Sequence, residues 1–247
     1  MKALVTGASS GIGRDMAIYL DSLGIDLILV ARRKEKLEEV KDKLKGNVVI
    51  ETFDLMNIES VNKLYEKYKD DKIDILINNA GFGLFGDFLE TDLDRELEMI
   101  NLNVIAFHVL TKKFLEKFKR HGAGYILNVC SSAGFLPGPH LATYYAIKNY
   151  DLKLTMAIYE ELRKTKSNIH ISALCPGPVE TEFNKVAKGV FNTKGVSSEY
   201  VARYAIDKMF QGKLLIIPTL KMKMFIFLSR FVPYKLLLRM VHSFQNN

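Results

Sequence analysis

Apolar positions along the chain fall into two kinds of run that alternate. Short β-branched stretches recur at about 2–6 (KALVT), 26–30 (DLILV), 48–53 (VVIETF), 73–77 (IDILI), 124–130 (GYILNVC), 168–174 (NIHISAL) and 214–217 (LLII). Between them, at about 11–23, 34–45, 57–69, 93–120, 140–165 and 198–211, apolar residues return every three to four positions against a polar background. The first kind predicts strands covered on both faces, the second amphipathic helices. Their alternation is the pattern of βαβ units. The expected fold is therefore α/β, one doubly wound and mostly parallel seven-stranded sheet with helices on both faces. No linker is long enough to separate two domains. Residues 1–217 make the predicted domain, and 218–247 a helical C-terminal extension.

The first strand pattern ends in Thr6-Gly7-Ala8-Ser9-Ser10-Gly11-Ile12-Gly13, and a helix pattern follows at once. Glycine at 7 permits a tight turn, glycine at 11 lets backbone approach a pyrophosphate, and glycine at 13 lets helix lie close to strand. The helix N-terminus then offers unpaired N–H groups to an anion. This is the expectation for a Rossmann-type dinucleotide site. A literal second match, Gly81-Phe82-Gly83-Leu84-Phe85-Gly86, has no prompt helix after it and reads as an active-site loop. At the end of the second strand an NAD site wants a carboxylate for the ribose 2′-hydroxyl. Here the chain has Arg32 and Arg33, with no acid until Glu35. Two guanidinium groups attract a 2′-phosphate, so the expected cofactor is NADP(H).

Tyr144 and Lys148 stand four residues apart, on one helical face. The same spacing occurs at Tyr65/Lys69, Tyr68/Lys72 and Tyr204/Lys208, where lysine-rich surroundings suggest solvated charge. Tyr144 differs because the fifth strand ends in Cys130-Ser131-Ser132, which brings hydroxyls to the sheet edge where ligands bind in open α/β sheets. Hydride addition to a ketone leaves an alkoxide that needs a proton and hydrogen-bond donors. A phenol with a free pKa near 10 suits that task when a neighbouring lysine cation draws it down.

With these residues in hand, the chain resembles the short-chain dehydrogenase/reductase family in its compact form. TGASSGIG at 6–13, Asn78-Asn79-Ala80-Gly81, Ser131, Tyr144, Lys148 and Pro176-Gly177-Pro178-Val179-Glu180-Thr181 fall in family order. The resemblance implies Tyr144 as general acid/base and Ser131 as the holder of the substrate oxygen. It implies that Lys148 lowers the tyrosine pKa and binds the nicotinamide ribose. Asn103 matches the helix asparagine that holds a proton-relay water, with Asn101 as the rival. By the same resemblance Asp54 and Leu55 contact adenine, and Asn79, Ala80 and Gly81 line the adenine ribose side. Val179 and Thr181, in the loop with Pro176 and Gly177, reach the carboxamide and phosphates. A dimer or tetramer through the two long helices is implied as well.

Three segments would face the substrate: the loop 82–88, the stretch 135–141, and the residues after Thr181. The last carries Phe183, Val186, Val190 and Phe191 at helix-like spacing, as a mobile lid would. These apolar walls suggest a lipophilic or acyl carbonyl substrate. His140 and His170 read as surface or packing histidines. The expected activity is NADPH-dependent reduction of a ketone or 3-oxoacyl group. The alternatives are an alcohol or hydroxysteroid dehydrogenase running toward oxidation, and a catalytically silent NADP-binding regulator.

Composition narrows the classes further. The 247 residues are 48% hydrophobic and 26% charged, which excludes a disordered chain. Cys130 and Cys175 are too few for a disulfide framework, and no Cys/His cluster has zinc spacing, so no metal is expected. The opening MKALVTGASSGIG runs straight into the first strand pattern, and the expected location is the cytoplasm. The net charge of +7 resides entirely beyond residue 207: seven basic residues and no acid follow, while the rest of the chain balances. That distribution argues against nucleic acid, whose binders carry their charge on the folded body. Pro233 divides this greasy, basic tail into two short helices. They would cap the pocket, mediate assembly or touch a membrane surface peripherally.

Overall fold

The structure, a computed structural model, describes residues 1–183, 187 and 195–245, with Phe244 described in its backbone only. Six strands form from the first six apolar runs: β1 (Lys2–Thr6), β2 (Asp26–Ala31), β3 (Val48–Thr52), β4 (Ile75–Asn78), β5 (Gly124–Val129) and β6 (Ile169–Leu174). A two-stranded parallel pair, β7 (Val179–Glu180) and β8 (Val196–Ser197), follows, and β9 (Leu215–Ile216) completes the main sheet. Seven strands lie in the order β3-β2-β1-β4-β5-β6-β9, all parallel. The expected doubly wound architecture is what forms.

The continuous apolar runs have a direct cause. Successive strand residues point to opposite faces, and here both faces are covered. Ala3 and Val5 of β1 face one way, into a core shared with Met16, Leu20 and Ala205. Leu4 between them faces the other, with Ile28, Leu76, Phe114 and Phe118. The covering helices on the first face are α1 (Gly11–Ser22), α2 (Lys34–Lys41) through Leu37 and Val40, and, late in the chain, α7 (Ser198–Phe210). The rest are α3 (Ile58–Tyr68), α4 (Leu93–Ile100), α5 (Phe107–His121), α6 (Ala142–Lys164), and the tail helices α8 (Leu220–Ser229) and α9 (Tyr234–Gln245). Side chains cap several starts: Asn57 accepts from the amides of Glu59 and Ser60, Asp92 from Arg95, and Ser197 from Tyr200.

Two features differ from the sequence expectation. The helix expected across 93–120 is interrupted by a π-helical turn at Asn101–Ala106, which joins α4 to α5. The helix expected to reach residue 45 stops at Lys41, and Asp21 takes the amides of Lys45 and Gly46 instead. The winding reverses between β1 and its neighbours β2 and β4. In open α/β sheets ligands bind at such a reversal, beyond the strands' C-terminal ends.

Candidate active site

The glycine turn after β1 is braced from β4. The Thr6 hydroxyl accepts from the amides of Asn79 (2.9 Å) and Ala80 (3.0 Å). Asn79 Nδ2 donates to the Thr6 carbonyl at 2.9 Å and the Gly7 carbonyl at 3.3 Å. Gly7 and Gly11 sit at φ +65 and +55, left-handed values that favour glycine. At Gly13 a Cβ would lie 2.5 Å from the Gly7 carbonyl oxygen. At Gly11 it would lie 3.1 Å from Thr181 Cγ2, so the segment after β6 closes over the turn. Ser10, the α1 N-cap, makes no side-chain cap bond, and the first turn of α1 has no acid. That uncapped helix start fits a pyrophosphate.

The paired arginines diverge. Arg33 Nη2 reaches Ser9 Oγ (3.3 Å), Ser10 Oγ (3.2 Å) and Glu182 Oε2 (3.0 Å). Arg32 points instead to Met56 Sδ at 3.8 Å and remains exposed. Asp54 accepts from the Met56 amide, and Leu55 is buried. Glu182 was not singled out in the sequence. Its carboxyl is held below the usual range by the Arg33 hydrogen bond.

Ser131, Tyr144 and Lys148 lie where β5 and α6 meet. Ser131 follows β5 and accepts the Ala133 amide at 3.1 Å, which opens a 3-10 turn at Ser132–Phe135. Lys148 Nζ donates to the Val129 carbonyl at 3.1 Å and to Asp151 Oδ2 at 2.9 Å, and lies 5.8 Å from the Tyr144 ring centre. Burial opposes the lysine's charge, but Asp151 and Tyr144 outweigh it and raise its pKa. The expected lowering of Tyr144 is present only as an opposing pull. Burial pushes the phenol above its ordinary value, and Lys148 and the Ser131 hydroxyl draw it back in part. The other Tyr/Lys pairs are spent elsewhere: Tyr65 bonds Arg120, Tyr68 bonds Glu51, and Tyr204 meets Lys223.

Asn103 is buried in the π-helical turn and clamps the loop after β4. Its Oδ1 accepts the Phe82 amide (3.2 Å) and its Nδ2 donates to the Phe82 carbonyl (2.8 Å). Asn101 is exposed. A Cβ on Gly81 would lie 3.1 Å from Asn103 Oδ1, so the second glycine motif serves as a loop against this turn. The loop meets the other two substrate-facing segments. The Phe85 amide bonds the Ala187 carbonyl, the Gly86 amide bonds the His140 carbonyl, and Phe183 lies 5.3 Å from the Tyr144 ring. Val186, Val190 and Phe191 lie outside the described residues.

His140, expected to be a surface or packing histidine, sits at a junction of three segments. It adopts φ +58, stacks on Phe85, and brings Nδ1 to 2.6 Å from Asp87 Oδ1, with the His242 ring of α9 4.7 Å away. His170 is exposed and stacks on Tyr125. The Pro176 carbonyl accepts the Ser132 amide, and Met222 of α8 fills the space beside Gly177.

Comparison with known proteins points the same way as this geometry. Residues 1–189 match the family model described as short chain dehydrogenase. A very-long-chain 3-oxoacyl-CoA reductase of Rattus norvegicus is 31% identical over 194 residues, covering 75% of this chain and 62% of that enzyme. The chain thus spans under two thirds of that relative's length. An uncharacterized oxidoreductase of Staphylococcus saprophyticus is 33% identical over 185 residues, 72% of this chain and 78% of its own. Among solved structures, a short-chain dehydrogenase from Sphingobium yanoikuyae in complex with NADPH superposes with a TM-score of 0.82 at 30% identity, over 89% of this chain and 88% of that one. A glycine turn braced by Asn79 and a Ser131-Tyr144-Lys148 group at the same sheet edge, matched along three quarters of the sequence, place this chain in the short-chain dehydrogenase/reductase family of oxidoreductases.

Proposed function

We propose that this protein is an NADPH-dependent reductase of ketones or 3-oxoacyl groups, with Tyr144 as the general acid. The observation that carries this reading is the grouping of Ser131, Tyr144 and a buried, ion-paired Lys148 at the same sheet edge as the uncapped glycine turn. The rat 3-oxoacyl-CoA reductase and the NADPH complex among the relatives support it. Arg33, already at Ser9 and Ser10, is the residue for a 2′-phosphate, with Arg32 beside it. Gly7, Ser9, Ser10, Gly11, Ile12 and Gly13 hold the pyrophosphate against α1. Asp54 and Leu55 take adenine, while Asn79, Ala80 and Gly81 back its ribose. Pro176, Gly177, Val179 and Thr181 serve the carboxamide and phosphates.

When bound, the dinucleotide supplies the hydride. Ser131 Oγ hydrogen-bonds the carbonyl oxygen of the substrate, and the Tyr144 hydroxyl gives that oxygen its proton as charge develops. Lys148 offsets the charge left on the phenolate and holds the ribose. Asn103 anchors the π-helical turn, where a carbonyl freed from regular helix bonding can hold a water on the path by which Tyr144 is reprotonated. Phe183, Leu136 and Leu84 suit a lipophilic substrate. Residues 1–217 carry this machinery, and of the extension 218–247 the described residues 218–245 pack on it.

The test is NADPH consumption with ketones and 3-oxoacyl thioesters of graded chain length, with NADH and Tyr144→Phe in parallel. We expect turnover that rises with chain length and falls by about 10³-fold or more in the variant, while NADPH still binds. Oxidation of alcohols with no ketone reduction would give the dehydrogenase reading. NADPH binding with no turnover would give the regulator.

A further inference from the structure

We propose that the outward face of the C-terminal helices α8 and α9 is a docking surface for an anionic lipid membrane. The reading does not depend on which carbonyl the enzyme reduces. Among the described residues no helix is long and apolar enough to cross a membrane, so the contact is interfacial.

The two helices turn apolar side chains the wrong way for a helix that meets only protein and water. On α8, Met222, Ile226 and Ser229 face the body, where Ile226 joins Cys130, Leu152 and Cys175. At 100° per residue, Leu220, Met224 and Phe227 lie on the opposite side, with Phe231 continuing their line just past the helix. Leu220 is 76% exposed and Phe231 73%. On α9, Leu237 and Val241 pack against Leu136, while Leu236 and Met240 are exposed. A soluble helix presents polar residues on its outer face; these present leucine, methionine and phenylalanine.

Charge selects the occupant. Lys221 flanks the α8 stripe on one side and Arg230 on the other, and Lys235 and Arg239 lie beside Leu236 and Met240 on α9. All four are exposed. No acidic residue follows Asp207. A second copy docking by a two-fold axis would set these cations against their own images with no carboxylate between them. An anionic lipid surface accepts both the apolar stripe and the cations around it.

The placement also has a use. α8 touches the loop after β6 through Met222 at Gly177, and α9 touches the 135–141 stretch. The inner faces of both helices therefore lie against segments of the candidate site while their outer faces meet lipid.

The test is co-sedimentation of the full chain with phosphatidylglycerol vesicles and with phosphatidylcholine vesicles. We expect binding to the anionic vesicles that weakens with salt and is much weaker on the zwitterionic ones. Reversing Lys221, Lys235 and Arg239 to Glu should weaken it by at least about 100-fold, from roughly fivefold per cation removed. Phe227→Ser with Phe231→Ser should weaken it without lowering the melting temperature, because both rings are exposed. Absence of binding to either vesicle overturns the proposal. So does a dimer or larger assembly that the two serine variants dissociate, since a second copy then covers the face. Sedimentation is read without turnover, so its outcome is separate from that of the reductase reading.

Discussion

Asp151, wholly buried one helical turn beyond Lys148, holds the lysine's Nζ at 2.9 Å through Oδ2, while its Oδ1 has no hydrogen-bond partner among the described residues. A buried ion pair loses most when one partner is removed, because the other is left charged and unpaired. Asp151→Asn should therefore destabilise the fold by about 3–5 kcal/mol, read from chemical denaturation. The variant also removes a charge that raises the Tyr144 pKa. In the proposed reduction Tyr144 must be protonated to act as an acid, so the alkaline limb of the reduction rate should move to lower pH. A purely structural Asp151 would lower stability and leave that limb in place.

The same pair sets a pH signature of stability. Lys148 has a raised pKa in the folded chain, so it keeps its proton to higher pH there than in the unfolded chain. Its contribution is fully present below the unfolded lysine value of about 10.4 and is lost as pH rises through the folded value. The melting-temperature gap between wild type and Asp151→Asn should be constant from about pH 7 to 9 and narrow above about 10.5.

On the proposed reading, Glu182, bonded to Arg33, would compete with a cofactor 2′-phosphate for it. Glu182→Gln should lower the KM for NADPH and leave that for NADH unchanged. Arg33→Ala should raise the NADPH KM by about tenfold or more, the scale of a lost charge-assisted hydrogen bond. Steady-state kinetics with both cofactors separates the two effects.

Gly13→Ala places a Cβ against the Gly7 carbonyl oxygen, which is backbone and cannot swing away. Overpacking of this kind costs about 1–3 kcal/mol. The melting temperature should fall, and NADPH affinity should fall with it as the turn widens. Calorimetry and fluorescence titration would show both.

Asn103→Ala strips both partners from the backbone of Phe82, itself buried. Leaving an amide and a carbonyl unpaired costs about 1–3 kcal/mol each. We expect a lower melting temperature and faster hydrogen exchange at the Phe82 amide.

The sheet was legible because burial on both faces makes the strands mostly continuous apolar runs; Leu4 and Val5 are equally covered, and polar residues such as Asn128 and Ser172 are few. The glycine turn and the Ser131, Tyr144 and Lys148 group were legible because each chemistry demands a residue type at a fixed place. The π-helical turn was not, since one extra residue between Met99 and Phe107 leaves the apolar spacing nearly intact. β7 and β8, two residues each, are too short for alternation to register. Glu182 meets Arg33 from 149 residues away, a distance no local pattern spans. Asp151 could have been found: it stands three residues from Lys148, on the helical face already singled out.

The central place of β1 affects how the protein is made. Its partners are β2, which follows soon, and β4, some seventy residues later in the chain. A ribosome adding about 5–20 residues per second needs roughly one to five seconds to pass from the end of β3 to the end of β4. Through that interval Leu4, Ile28 and Val30 form an apolar sheet face whose in-sheet neighbour Leu76 and whose cover by Phe114 and Phe118 have yet to be synthesised. Recombinant yield should accordingly depend on chaperones that shield the first eighty or so residues of the nascent chain, more than on the stability of the finished fold.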